Sequence, residues 1–274
     1  MRTAVRRIAL AAVAALLVAA AAATWLRTPS NDRDWSRDQL FLPTAEIAAD
    51  RVTIRNVRNF QYRSEGDYSP GFYDRSFSLQ DVVSVDYIVE PLASVAAAHT
   101  LLSFGFRDGG RLAISVEIRK ESDEVFNPLF GLFNEYEIMY VVADERDVIR
   151  LRVLHRGNPV YIYPTTATAE QARALLTGML ARINALAASP EFYNTFTNNC
   201  ATNIADHVNT IAPKQVPWDW RLLFPKESDT FAHELGLLAT SLPIEEARSR
   251  YAVNDAVRTY SDAPDFSTKI RNGR

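Results

Sequence analysis

The strongest constraint on how this chain folds is a pair of alternating segments, 99–106 and 110–119, joined through Arg107-Asp108-Gly109. In the second segment Leu112, Ile114, Val116 and Ile118 fall on one face, and Ala113, Ser115, Glu117 and Arg119 on the other. That is the two-residue period of a β-strand. In the first, Thr100, Leu102, Phe104 and Phe106 share a face opposite His99, Leu101 and Ser103. The apolar faces coincide only if paired positions sum to an even number, so the loop must hold an odd number of residues. A three-residue loop with Gly109 in the left-handed conformation meets this condition. That register sets His99 directly across from Glu117, with Ser115 one step diagonal. A slip of two residues would put Arg119 opposite His99 instead. A titratable cluster on one face is expected in either case.

Further strands are predicted from Arg51 onward, beginning with Val52-Thr53-Ile54, and over 82–89, 137–142, 148–154 and 160–163. The aromatic, turn-rich stretch 62–77 reads as an ordered loop over a cleft. Thr168 and Gln171 form a capping-box pattern. Ala172, Leu175, Leu176, Met179, Leu180, Ile183 and Leu186 then make one apolar helical stripe. A short helix near 231–238 precedes a tail that reads as polar. The expected fold class is α+β, an antiparallel sheet with packed helices in one domain.

Arg2, Arg6 and Arg7 precede an apolar run from Ile8 to Leu26, with Ala21-Ala22-Ala23 as a small-residue cleavage site. The run is long enough for a membrane helix and also fits a secretory leader. Either way the arginines stay inside and the remainder is exported. Residues 1–30 are therefore read as signal peptide or anchor, 31–50 as a polar linker, and 51–274 as the domain. The expected location is the bacterial periplasm, anchored to the inner membrane or soluble if the leader is cleaved. The formal net charge is −3, and −6 once the three leader arginines are left out. A mildly acidic exported domain without a basic stripe argues against a nucleic-acid partner. No phosphate loop or cofactor motif is present, and the four histidines lack metal-ligand spacing.

Cys200 is the only cysteine, so the chain has no internal disulfide. It follows Asn198-Asn199 and opens an apolar helical pattern through Ala201, Ile204, Ala205, Val208 and Ile211. Asn199 is a good N-cap, which sets Cys200 in the first helical turn. Free N–H groups and the helix dipole there favour a thiolate and suit an oxyanion. The competing reading is a small buried hydrophobe. A thiolate nucleophile needs a base within reach. His207 lies seven residues along the same helix, about 10 Å away along its axis. His155 reads as a turn residue, and His233 falls in a helical segment. His99, on a strand and facing a polar row, has the right setting if histidine precedes cysteine in the chain.

Four groups of residues carry a resemblance. These are His99-Thr100-Leu101-Leu102-Ser103-Phe104-Gly105-Phe106, Ser115-Val116-Glu117-Ile118-Arg119, the stretch from Tyr140 to Arg152, and Phe192-Tyr193-Asn194-Thr195 leading to Asn199-Cys200. Together they resemble the Lnb N-terminal periplasmic domain family, which includes lipoprotein intramolecular transacylases. The order of His-strand, polar strand and Asn-Cys helix is also similar to permuted papain-like thiol enzymes such as lecithin:retinol acyltransferase. The resemblance implies acyl transfer through a thioester on Cys200, with His99 as base and Glu117 or Ser115 orienting it. It implies oxyanion or positioning roles for Asn199, Asn198 and Tyr193, substrate contact by Arg119, and no cofactor or metal. Membrane phospholipid or a lipoprotein would be the partner. The transacylases carry a further membrane-embedded C-terminal part that this sequence lacks, so hydrolysis or another acceptor is equally expected. A papain-like amidase or peptidase of the envelope and a non-catalytic envelope domain are the alternatives.

Overall fold

The computed structural model describes residues 6–7, 11–12, 26–92, 97–213 and 215–272. Among the described residues ten strands are present: β1 (Thr44–Ala48), β2 (Arg51–Arg58), β3 (Gln61–Tyr62), β4 (Tyr68–Ser69), β5 (Phe72–Ser78), β6 (Val82–Pro91), β7 (Ala98–Phe106), β8 (Arg111–Arg119), β9 (Glu137–Ala143) and β10 (Tyr161–Pro164). Eight of them form one sheet in the order β1-β2-β9-β8-β7-β6-β10, with β5 also paired to β2. Pairing is antiparallel except for Arg58 against Ala143 between β2 and β9. β3 and β4 make a separate small hairpin inside the aromatic stretch.

The β7–β8 hairpin has the register read from the alternation: Leu101 pairs Ser115, Leu102 pairs Ile114 and Gly105 pairs Arg111. The Phe106 amide donates to the Gly110 carbonyl at 3.0 Å. Gly109 takes φ +84°, a conformation an L side chain resists. Both faces of this hairpin are buried. Leu102, Phe104, Leu112, Ile114 and Val116 pack under the helices α2 (Ala169–Ala188) and α3 (Cys200–Ile211). Leu101 and Ala113 face the other layer, with Val148, Ile149, Val257 and Phe266. The capping box at Thr168 and Gln171 is formed, and all seven stripe residues of α2 are buried. Each buried Leu or Ile of that stripe contributes about 1.5–3 kcal/mol, which anchors the helix across the sheet.

Three expectations are corrected. Residues 148–154 are not a strand. They lie in a helix, α1 (Glu145–Arg150), continued by one π-helical turn over Leu151–His155. Asp144 caps α1 by accepting from the Arg146 amide. The β-branched Val148, Ile149 and Val153 mimicked a strand because most of this helix is enclosed, its charged Glu145, Asp147 and Arg152 included. The tail after residue 240 is not merely polar. It forms α5 (Ile244–Tyr251), α6 (Asn254–Tyr260) and α7 (Phe266–Lys269), following α4 (Ser228–Glu234). Val253, Val257, Phe266 and Ile270 each bury against the sheet, two pairs at i,i+4 in an otherwise charged stretch. Residues 31–50 are not a free linker either. Trp35 is buried, β1 pairs β2, and Arg119 holds the segment down. The apolar run 8–26 lies almost wholly outside the described residues. No helix among the described residues is long and apolar enough to cross a membrane.

Candidate active site

The ladder between β7 and β8 runs from Gly105–Arg111 to Leu101–Ser115 and stops there. Beyond that point each strand keeps only its outer neighbour. His99 pairs Glu90 on β6, and Glu117 pairs Met139 on β9. The open end of the hairpin is where two layers of the protein meet. His99, Ser115 and Glu117 belong by alternation to the face of Leu101 and Ala113. Cys200 packs with the core of the opposite face. His99 nevertheless lies close enough to Cys200 to draw its thiol down. A closed ladder would separate them.

Cys200 is the first residue of α3, as its sequence context required. Asn199 is the N-cap, its side chain accepting from the Thr202 amide at 2.9 Å. Thr202 reciprocates to the Asn199 amide, which completes a capping box. The Asn203 amide bonds the Asn199 carbonyl. The cap thus uses the amides of Thr202 and Asn203, and the amides of Cys200 and Ala201 have no partner within the helix. Cys200 is 8% exposed. Burial pushes its thiol up. The hydrogen bond and charge of His99, with contacts to the Thr100 side chain and backbone, outweigh that and hold it below the ordinary thiol value.

His99 Nε2 lies 2.6 Å from Ser115 Oγ, and Ser115 Oγ donates to Glu117 Oε1 at 2.8 Å. Glu117 Oε1 is also 3.8 Å from His99 Nε2. This chain fixes the histidine tautomer. Serine has one hydroxyl proton, and it is committed to a carboxylate that can only accept. Ser115 must therefore accept from His99, so Nε2 carries the proton and the lone pair of neutral imidazole is on Nδ1. Burial alone would raise Glu117. His99, Arg58 and Arg152, with the Ser115 hydrogen bond, instead draw it down to about 2. Arg152 is fully buried between Glu90 at 2.8 Å and Glu117 at 3.4 Å. Arg58 is paired to Asp147 at 2.9 Å. Ser115 and Glu117 are thus both joined to His99, in series.

Other expected site residues fall elsewhere. Asn199 spends its side-chain amide on the carbonyls of Thr195 and Leu222. Asn198 donates to Phe192 O and accepts from Asn203. Both build the loop that presents Cys200, and Asn199 has no side-chain donor left for a substrate. Tyr193 does lie beside Cys200, whose charge together with burial raises its phenol. Arg119 is not at the site. It donates to the carbonyls of Gln39 and Leu40 and to Asn31 Oδ1, and stacks over Trp35 at 4.1 Å. Arg119 clamps the N-terminal segment, as its place two residues past Glu117 on a diverging strand permits. His207 bonds the Tyr140 hydroxyl at 2.9 Å, and His155 packs on Tyr62.

Two contributors escaped the sequence reading. Thr100, fully buried, lies against the thiol. Tyr87 donates to Ser228 Oγ at 2.9 Å and sits close enough to Cys200 to feel its charge. Tyr87 shares its face with the pair residue Leu102, and only the β6–β7 register, which no short loop specifies, reveals this. Tyr87 and Ser228 stand at one end of a cavity of about 400 Å³ lined by Leu102, Leu175, Ala201, Ile204, Phe231 and Leu238, among others. Its walls are mostly apolar, and on α3 they run from Ala201, next to Cys200, to Ile211. Among the described residues no group of three His, Cys, Asp or Glu is placed to hold a metal ion.

Residues 68–226, more than half of the chain, match the family model described as Lnb N-terminal periplasmic domain. No curated protein and no solved structure matches the chain.

Proposed function

The chain belongs to the Lnb N-terminal periplasmic domain family, and from that premise we propose that it is a cysteine-dependent acyltransferase or lipid-ester hydrolase working at the periplasmic face of the inner membrane. His99 Nδ1 takes the Cys200 proton, and the thiolate attacks the acyl carbon of a lipid ester. The amides of Cys200 and Ala201, at the positive end of α3, receive the oxyanion. The S–C bond forms, the ester C–O bond breaks, and His99 returns the proton to the departing alcohol, leaving a lysolipid and a thioester on Cys200. Water or an amine then attacks the thioester, with His99 again as base. Glu117, acting through Ser115, stabilises the imidazolium in both steps. The His-strand before Cys-helix order supports a permuted papain-like arrangement, and the arginine-flanked run 8–26 supports an N-terminal anchor.

The observation that carries the reading is the apolar cavity beside the nucleophile. A fatty-acyl chain fits such walls. A peptide or cell-wall amide would leave its polar groups without partners there. The test is intact-mass measurement of the full chain after incubation with a diacyl phospholipid. The expected product is one acyl adduct, removed by hydroxylamine and absent in Cys200→Ala. Failure to form either adduct or lysophospholipid would overturn the proposal.

A further inference from the structure

Three loops around the start of α3 expose large apolar side chains. Leu129 and Phe130 are 65% and 52% exposed, Trp218 and Trp220 are 75% and 54%, and Phe196 stands between them, also exposed. The loops are tied to one another. Thr195 Oγ1 donates to Pro128 O, the Thr195 amide donates to Gly131 O, and the Asn199 side chain donates to Leu222 O. They form a continuous rim beside Cys200 and not scattered surface residues. An apolar patch of this size on a soluble face marks a contact surface. The segment that carries Trp218 and Trp220 outward also lines the acyl-sized cavity inward, through Val216 and Leu222.

We propose that this rim inserts into the headgroup–acyl boundary of a phospholipid bilayer and feeds an acyl chain from the membrane into the cavity. The inference rests on placing the domain at a membrane, not on the chemistry at Cys200. Two observations select lipid over a protein partner or a second copy. The first is where the apolar run rejoins the domain. Arg27, directly after it, pairs Glu135 at 2.6 Å, and Ser30 donates to Glu137. Glu135 is two residues past exposed Phe133, so the run ends beside the rim. The second is residue type. Tryptophan and phenylalanine with leucine are the side chains that settle at a bilayer interface. The flanking charge is mixed, with exposed Lys226 beyond Trp220 set against acidic side chains on the neighbouring loop. Residues 121–135 hold Glu121, Asp123, Glu124 and Glu135 with no Lys or Arg, and Arg221 is neutralised by Asp219 at 2.9 Å. Binding should therefore depend on apolar insertion and be insensitive to salt and to anionic lipid.

The test uses the full chain in phosphatidylcholine nanodiscs whose acyl chains carry bromine, a contact quencher of tryptophan. The chain has four tryptophans, Trp25, Trp35, Trp218 and Trp220. Trp25→Phe removes the one in the apolar run, and Trp35 is buried in the domain. The Trp25→Phe protein should remain quenched, equally with and without anionic lipid. Adding Trp218→Ser and Trp220→Ser should abolish the quenching, and Leu129→Trp in that background should restore it. Each position is exposed, so these changes leave the core intact. Cys200→Ala should quench like its parent, which separates this proposal from failure of the acyl chemistry. Unquenched Trp25→Phe protein would overturn the proposal. So would cross-linking of Trp218 and Trp220 to a second copy in discs holding two chains.

Discussion

Replacing Glu117 by Gln removes one charge and keeps the side-chain shape, so it isolates what the carboxylate does for His99. The carboxyl lies at about 2 against an ordinary 4.5. At about 1.4 kcal/mol per pH unit, that drop represents about 3 kcal/mol of net favourable interaction with its surroundings. Burial opposes it, so the gross attraction is larger. Of its four favourable partners, His99 contributes the most. At least about a quarter of the total, about 1 kcal/mol, therefore belongs to the carboxylate–imidazolium pair. Losing it should lower kcat/KM by about fivefold to tenfold. The assay is kcat/KM against pH with a chromogenic acyl ester. Ser115→Ala should do comparable damage because it breaks the link between ring and carboxylate. A Glu117→Gln enzyme within twofold of wild type across the pH range would show that Glu117 only holds Arg152 in place.

His99→Asn should lower acyl-enzyme formation by about 10²–10⁴-fold, the usual cost of losing a general base, while His233→Asn stays near wild type; a quench-flow measurement of adduct formation decides between them. Glu117 and Glu145 both lie at about 2 in the folded protein, below their ordinary 4.5. Each thus contributes stability that is complete above about 4.5 and lost as pH falls toward 2; the urea midpoint should be markedly lower at pH 3 than at pH 7. Ala205→Phe projects a ring into the cavity. If it displaces three methylenes at about 0.8 kcal/mol each, kcat/KM for a long-chain ester should fall about 50-fold with an acetyl ester nearly unaffected; equal losses on both esters would argue against acyl binding there.

The elements that sequence disclosed are those whose local rules agree with their surroundings. The β7–β8 register followed from alternation plus one loop glycine, and the α3 start followed from an asparagine cap. In both, the deciding residues are neighbours in the chain. What remained hidden depends on packing between distant segments. Alternation showed the His99 cluster but not that both hairpin faces are buried, because Ala113, Leu101 and Ser103 look indifferent until α1 covers them. Residues 148–154 were misread for the same reason: a helix enclosed on most sides loses the amphipathic period that identifies it. Arg119 looked like a substrate ligand because it shares a face with Glu117. The opening of the β7–β8 ladder carries it away to the N-terminal segment, and nothing local to residue 119 reports that divergence.

That same opening explains how a buried lone cysteine comes to lie below the ordinary thiol value. Burial by itself raises a thiol and leaves it inert. The core cluster that holds Cys200 consists of apolar or neutral side chains and supplies no compensating charge. The compensation comes through the sheet, from a cluster rooted in the opposite layer: His99 held by Ser115, Ser115 by Glu117, and Glu117 by the buried arginines 58 and 152. Arg152 sits on the π-helical turn, where the widened helix donates its NH1 to Val148 O and turns the rest of the guanidinium toward Glu90 and Glu117. The lowered thiol value of Cys200 is thus set by two packing layers at once. A substitution at Arg152 must reach the thiol through four successive contacts, by way of Glu117, Ser115 and His99, although the two residues lie on opposite faces of the sheet.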